Sequence, residues 1–318
     1  MLTYIVRRVL QMIPLLLVIS FVSFGIYQLS PGDPVAAFAP REAMKNPQQL
    51  ERLRRQLGLD KPWYVQYARW MQRTMQGDLG RSMITGQPVL DRFRTAIPNT
   101  LKMTVTAWVI SFTLAILVGV VSATRKYTWV DSLSSIFSFA GISTPSFFLG
   151  ILLMLLFALK LRWLPTIGMY SIGKEGQFWD GLAHMILPIA ALTVTEIAGT
   201  SRYVRSSLLE VLKMDYVRTA RSKGLSERIV TYKHALRNSL MPVITFLGLG
   251  MADFVGGALV IENLFAWPGM GRLTVQAVFQ QDYPVVMAAN LLFAFLTVVG
   301  NLIADIMYAA VDPRVKFA

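Results

Sequence analysis

Residues 215–242 read DYVRTARSKGLSERIVTYKHALRNSLMP, a strongly charged passage between two of the longest apolar runs of the chain. Gly224 divides it, because glycine takes left-handed backbone geometry without a steric penalty and so ends one helix and turns the chain into the next. Upstream, Leu209, Leu212, Tyr216 and Ala220 recur at helical spacing; downstream, Leu225, Ile229, Tyr232, Leu236 and Leu240 do the same. Two short helices are expected, each with one apolar face. Ser226 stands where it caps the second, with Glu227 in the first turn, where the helix dipole favours an anion. The other faces carry Arg218, Arg221, Lys223, Arg228, Lys233 and Arg237. This chemistry suits two arrangements equally: a basic amphipathic hairpin lying on anionic lipid, or a rigid knob whose exposed turn enters a groove on another protein.

The surroundings of the hairpin are those of a membrane protein. Of 318 residues, 54% are hydrophobic and only 15% charged, too apolar for an ordinary soluble domain. Crossing a bilayer takes about 20 mainly apolar residues, and six runs meet or approach that length: 9–29, 103–124, 133–159, 183–200, 240–261 and 284–309. The net charge of +13 is distributed among the short loops. With the N terminus in the cytoplasm, Arg7, Arg8, Arg125, Lys126, the whole basic hairpin, Arg314 and Lys316 lie inside. The short outer loops then keep only Lys160, Arg162, Lys174 and Arg272, as the positive-inside rule requires. The arginines of the long first loop are exempt from that rule. No basic patch interleaved with aromatics projects from a soluble domain, which excludes nucleic acid as a partner.

Several features exclude chemistry in this chain. Cysteine is absent, so there are no disulfides and no thiolate. His184 and His234 fall on opposite sides of the membrane in this topology and build neither a two-histidine metal site nor a histidine-assisted nucleophile. Residues 168–174, GMYSIGK, fit the first seven positions of a phosphate-binding loop, but Glu175 takes the place of the Ser or Thr that holds magnesium. They also lie in a short outer loop between apolar spans. No enzyme is expected, and no cofactor in this chain; if ATP drives it, another chain binds the ATP.

At the N terminus, Arg7, Arg8 and Ala37-Phe38-Ala39 have the look of a signal peptide. The apolar run is too long for one, and an uncleaved first span is expected. The loop at 31–99 holds three short amphipathic helices. One starts at Asn46-Pro47 and stops at Gly58. The second follows Pro62, with Trp63, Tyr67, Trp70, Met71 and Thr74 on one side and Gly77 at its end. The third, at 88–97, groups Leu90, Phe93 and Ile97. This loop is either a cap for a delivery protein or an ordered loop that merely packs.

Polar residues inside the spans are the candidates for a cargo path. Gly141, Ser143, Thr144, Pro145 and Ser146 interrupt the third span, a kink by default, with Ser143 and Thr144 as path candidates. Glu196 is expected to pair with Arg202 or Arg205 near a helix end. Asp253 sits near mid-membrane, where an ionised side chain costs roughly 2.5–3.5 kcal/mol; it is either the foremost path residue or half of a buried structural pair. Gly248, Ala252 and Gly256 form a small-residue stripe suited to a second subunit. The loop ENLFAWPGMGR, 262–272, has a Pro-Gly turn and aromatics suited to an interfacial plug. In the last span Asn301 and Asp305 share one face near its inner end.

The charged hairpin resembles the "EAA" cytoplasmic loop of ABC importer permeases: Ala220, Gly224 and Pro242 occupy matching places, while Arg218, Thr219 and Met241 depart from the general pattern. RTARSKGL and HALRNSLMPV resemble the form in the dipeptide and oligopeptide branch. LSPGDPV (29–35), LGLDKPW (57–63), GDLGRS (77–82), the Pro-Gly-x-Gly of Trp267, Pro268, Gly269 and Gly271, DYPVV (282–286) and DPR (312–314) resemble it too, so the likeness covers nearly the whole chain. The resemblance implies an all-α integral membrane protein with six transmembrane helices, a type I ABC importer permease-like fold and a helical extracytoplasmic loop. Its parts are a first span at 1–30, the loop at 31–95, a five-span core at 96–310 containing the hairpin 208–240, and a cytoplasmic tail at 311–318. It implies the first, B-type permease chain of a dipeptide or oligopeptide importer in a bacterial or archaeal cytoplasmic membrane. Its partners are a second related permease, two ATPase subunits that bind ATP and magnesium, and an extracytoplasmic substrate-binding protein. Asp215, Arg218, Thr219, Ala220, Arg221, Lys223, Gly224 and Leu225 would couple to the ATPase. The rival is a proton-coupled secondary transporter relaying protons through Asp253, Glu196 or Asp305, which inverted repeats would mark.

Overall fold

The computed structural model describes residues 2–29, 48–49, 51–52, 55, 60–240, 243 and 258–311. The described elements are helical apart from one isolated antiparallel bridge, Arg81 to Pro88. Four helices are long and apolar enough to cross a membrane, and a bent helix pair makes a fifth if taken as one span. The remaining apolar run, 240–261, lies mostly outside the described residues, and with it Asp253, the Gly248–Ala252–Gly256 stripe, Met241 and Pro242. The helix expected between Asn46 and Gly58 also lies mostly outside them, as does the side chain of Asp305.

The chain divides into two compact units. The first comprises Met1–Ile97 and Leu273–Leu296. Here α1 (Leu2–Leu29) carries α2 (Trp63–Met75) on one flank. The aromatic side predicted for α2 supplies the contact: Tyr67 meets Phe21 and Phe24 edge-on at ring-centroid distances of 5.6 and 5.5 Å. Ser20 Oγ and Tyr67 OH share a hydrogen bond of 2.8 Å. Gly77 ends the segment with φ +84°. The GDLGRS and DYP stretches, 200 positions apart, meet at Asp282, whose side chain is fully buried. Ser82 Oγ and Arg92 Nη1 donate to its Oδ2, and the Met83 amide donates to its Oδ1 at 2.9 Å. A buried carboxylate is tolerated only when its lone pairs are met in this way.

The third helix expected in the loop does not exist as a separate element. It is the start of α3 (Val89–Thr124), one continuous helix of 36 residues through Pro98. Its buried face is Val89, Phe93 and Ala96, whereas Leu90 is exposed.

The second unit comprises Pro98–Arg272 and Thr297–Ala318. It contains the rest of α3, then α4 (Trp129–Ser143), α5 (Ser146–Leu153) with a π-helical extension Met154–Lys160, and α6 (Phe178–Val211). The third span is broken outright, with 103° between its two halves. Proline forces its predecessor out of helical geometry: Thr144 is extended at φ −100°, ψ 117°, and α5 restarts after Pro145. Thr144 Oγ1 turns back to donate to Ala140 O at 2.8 Å, and Ser143 is exposed.

α6 is the central helix of this unit, and glycines set its distance from its neighbours. A Cβ on Gly119 of α3 would meet Ser201 O at 2.7 Å, and one on Gly141 of α4 would meet the Ala198 Cβ at 2.6 Å. Small residues allow this approach where no water-driven force brings helices together. Gly119→Val should therefore cost about 1–3 kcal/mol through overpacking against a backbone carbonyl. Thermal unfolding in detergent should show a lowered midpoint for it and none for Gly25→Ala, whose site is open; equal midpoints would refute the close approach.

Candidate functional site

The hairpin follows α6 directly. Three turn residues lead into α7 (Asp215–Ser222); after Gly224 come α8 (Glu227–Ile229), a π-helical stretch Val230–Ala235 and α9 (Leu236–Ser239). Gly224 has φ +75°, and its amide donates to Arg221 O at 2.9 Å, the left-handed turn expected of it. Ser226 occupies the N-cap position with extended backbone, but its side chain makes no capping hydrogen bond. Glu227 is drawn across the turn. Arg221 Nε donates to Glu227 Oε1 at 2.7 Å and Nη2 to Oε2 at 3.2 Å, a two-point clamp between the helices. These hydrogen bonds hold the Glu227 carboxyl below its usual range and raise the Arg221 guanidinium.

The apolar stripe of the hairpin differs from the expected one. Val217, Ala220, Val230 and Ala235 are buried, in one core with Val204, Leu208 and Val211 of α6 and Val120 and Ala123 of α3. Leu209, Leu212, Leu236 and Leu240 pack around its edge as expected. Tyr216, Leu225, Ile229 and Tyr232 are exposed instead. The wider π-helical turn moves the inward positions away from strict 3.6-residue spacing. Two polar ties complete the base: Ser207 Oγ donates to Ser239 O at 2.9 Å, and Asn238 Nδ2 to Tyr216 OH at 2.8 Å.

Of the residues expected to couple to a partner, Asp215, Arg218, Thr219, Lys223, Gly224 and Leu225 are exposed, while Ala220 faces the core. Arg221 is exposed but committed to the clamp, whereas among the described residues the Arg218 side chain meets only Asp215, at 3.4 Å, in a pair largely open to water.

A carboxylate that sequence reading missed stands where α3, α4 and α6 converge. Asp131, just before the apolar run of the third span, receives Arg205 Nε on Oδ1 at 2.7 Å and Nη2 on Oδ2 at 2.9 Å. Ser122 Oγ and the Tyr127 amide also donate to it. Arg205 therefore does not pair with Glu196, and Arg202 lies 4.5 Å over the Phe139 ring. Matching the depth of 131 and 205 along their spans was the signal that could have found the pair.

The loop 262–272 is built inward and not as an exposed aromatic plug. Trp267 is fully buried and Phe265 nearly so, in a core with Met103, Leu187, Ala191 and Ile261. Trp267 Nε1 donates to Asn99 O at 2.8 Å, which lets the ring leave water without an unpaired N–H. The loop folds around the carboxylate of Glu262, also fully buried. Thr100 Oγ1 donates to its Oε1 at 2.6 Å and the Arg272 amide to its Oε2 at 3.0 Å, while the Met270 amide donates to Thr100 Oγ1. Gly269 and Gly271 are needed because a Cβ on Gly269 would collide with that carboxylate, and one on Gly271 with the Leu259 backbone. Lys174 of the apparent phosphate loop is turned onto Asp180, which also accepts the Ser171 amide and hydroxyl.

Two family models together cover the chain. Residues 1–104 match the N-terminal model and residues 115–317 the main model of the binding-protein-dependent transport system inner membrane component. The chain belongs to this family. Along their full lengths it is 42% identical to the oligopeptide transport system permease protein AppB of Bacillus subtilis (strain 168). It is 39% identical to the glutathione transport system permease protein GsiC of Escherichia coli (strain K12), again over the whole of both chains. Its fold is similar to that in a crystal structure of the MetNI methionine ABC transporter in inward-facing conformations, with TM-score 0.54 at 19% identity over 70% of this chain and 97% of that one. The protein is thus a permease subunit of a binding-protein-dependent transport system, multi-pass in the membrane and a transport component, not an enzyme. That sets aside the proton-coupled secondary transporter.

Two outcomes test the hairpin geometry. Gly224→Val places a β-branched residue at positive φ, and should leave membrane insertion intact while uncoupling uptake from ATP hydrolysis in reconstituted transporter; normal coupling would refute the turn. Glu227 has a lowered pKa, so its clamp is complete above the ordinary carboxylate range of about 4.3 and is lost as pH falls through the lowered value. Hydrogen exchange across 215–229, taken relative to intrinsic rates, should accelerate in that acid window. Glu227→Gln should show the acid behaviour already at neutral pH; identical exchange in the variant would refute the clamp.

Proposed function

We propose that this chain forms half of the translocation path of an importer for short peptides and passes motion from a separate ATPase to its spans through the hairpin. The observation that carries this is the two-sided build of the hairpin: a clamped, exposed tip, and a base sunk into the ends of α3 and α6. Force on Arg218, Lys223 and Leu225 reaches Val217 and Val230, and through them Val204, Leu208 and Val211. Peptide cargo is favoured by the names of the relatives, an oligopeptide and a glutathione permease.

In this reading a second related permease completes the path, two ATPase subunits hold ATP and magnesium, and an extracytoplasmic binding protein delivers cargo. The termini and hairpin are cytoplasmic, in the inner membrane, and the loop with Trp267, Pro268, Gly269 and Gly271 stands at the outer mouth. Asp253, Ser143 and Thr144 are the proposed path residues; a peptide ammonium is a partner for Asp253. ATP draws the ATPases together, and the free energy available for switching the spans is the differential affinity of ATP for the two states.

The test is co-purification of an ATPase subunit with the chain from gently solubilised native membranes. Arg218→Glu with Lys223→Glu should abolish it while the purified chain keeps its thermal midpoint. Arg221 is left intact, because reversing it would open the clamp and confound docking with unfolding. Undiminished co-purification would contradict docking at this tip.

A further inference from the structure

Beside the Asp131–Arg205 pair, a half-open groove of about 540 Å³ runs between α4 and α6. Ser135, Phe139 and Ile142 line it from one face of α4, and Gly199, Arg202, Tyr203 and Ser206 from one face of α6. Gly199 faces its open space, since nothing lies within 4 Å of where a Cβ would stand.

The two arginines at this groove differ. Arg205 spends Nε and Nη2 on Asp131. Arg202 lies over the Phe139 ring at 4.5 Å, and among the described residues its guanidinium donates no hydrogen bond, which leaves its N–H donors for a ligand. Among the described residues no carboxylate lies within ion-pair distance of Arg202. The rim is apolar and open: Phe139, Ile142 and Tyr203 are between 46% and 58% exposed. A ligand that meets both features carries an anion and hydrocarbon on one molecule, which neither free phosphate nor a small hydrophilic peptide does.

We infer that the groove holds an anionic phospholipid, its phosphate on Arg202 with the hydroxyls of Ser135 and Tyr203, and its acyl chain along Phe139 and Ile142. This rests on the proposed orientation, which puts Arg202 at the cytoplasmic leaflet, where basic pockets between helices take anionic headgroups. A bound lipid would brace α4 against α6, the helix that carries the hairpin.

The test uses the full chain, delipidated in detergent. Phosphatidylglycerol and phosphatidylcholine of identical acyl chains are titrated separately, with retention read by native mass spectrometry and by the shift in thermal midpoint. Phosphatidylglycerol should be retained in preference to phosphatidylcholine. Arg202→Gln should weaken its retention about tenfold or more, as loss of a charge-assisted hydrogen bond implies. Arg202→Lys should recover most of it, and Lys213→Gln, a charge removed in the turn after α6, should change nothing. Equal retention of the two lipids, or wild-type retention by Arg202→Gln, overturns the proposal. So does protection by inorganic phosphate equal to that by phosphatidylglycerol, which marks a free-anion site, or displacement of the lipid by trialanine, which marks a cargo path. The orientation is read separately. The chain lacks cysteine, so Arg202→Cys should react with an impermeant maleimide only in inverted vesicles. Reaction only from the outside overturns the leaflet assignment while the detergent binding result stands by itself.

Discussion

Val217, Ala220, Val230 and Ala235 are almost devoid of solvent exposure, although they belong to one of the most highly charged stretches of the chain. They are held by Leu208, Val204 and Val211, the last turns of a membrane-spanning helix. A fully buried valine or leucine such as Val217, Val230 or Leu208 is worth roughly 1.5–3 kcal/mol, so the base of the hairpin cannot slide on α6 without losing several such contacts together. Close-packed interiors transmit displacement because they have few discrete arrangements. A push on the hairpin is therefore a push on α6, and through the Gly119 and Gly141 approaches on α3 and α4.

Buried carboxylates lock the connecting segments in each unit. Asp282 gathers Ser82, Met83 and Arg92 in the first; in the second, Glu262 gathers Thr100 and Arg272, and Asp131 gathers Ser122, Tyr127 and Arg205. All three sit next to apolar runs, where an unsatisfied acid would be costly, and each is met by hydroxyls, backbone amides or a guanidinium. Residues that looked like loop decoration, among them Trp267 and the Pro-Gly-x-Gly glycines, are shaped around one of these acids.

Much of this was legible beforehand. Length and hydropathy located five of the six expected runs among the described residues, one of them as a bent pair, Gly224 announced its turn, and the aromatic side of α2 was readable from its spacing. What the sequence hid depends on contacts between distant positions or on departures from regular geometry. The π-helical stretch at Val230–Ala235 sets its buried residues Val230 and Ala235 five apart, a spacing no regular α-helical pattern announces, and Tyr232 within it is exposed. Thr144 and Pro145 together make a 103° break where a single proline suggests a kink. Nothing local tells Glu262 to look for Thr100, 162 positions away.

The direct measurement of force transfer is the ratio of cargo taken up to ATP hydrolysed by the complete transporter in proteoliposomes, with Val217→Ala and Val230→Ala combined. These truncations loosen the base of the hairpin and leave its exposed tip unchanged. If the packed base transmits the motion, the ATPase still docks and hydrolyses ATP while uptake per ATP falls several-fold. An unchanged ratio, with both substitutions in place, would contradict the coupling of hairpin to spans through this core.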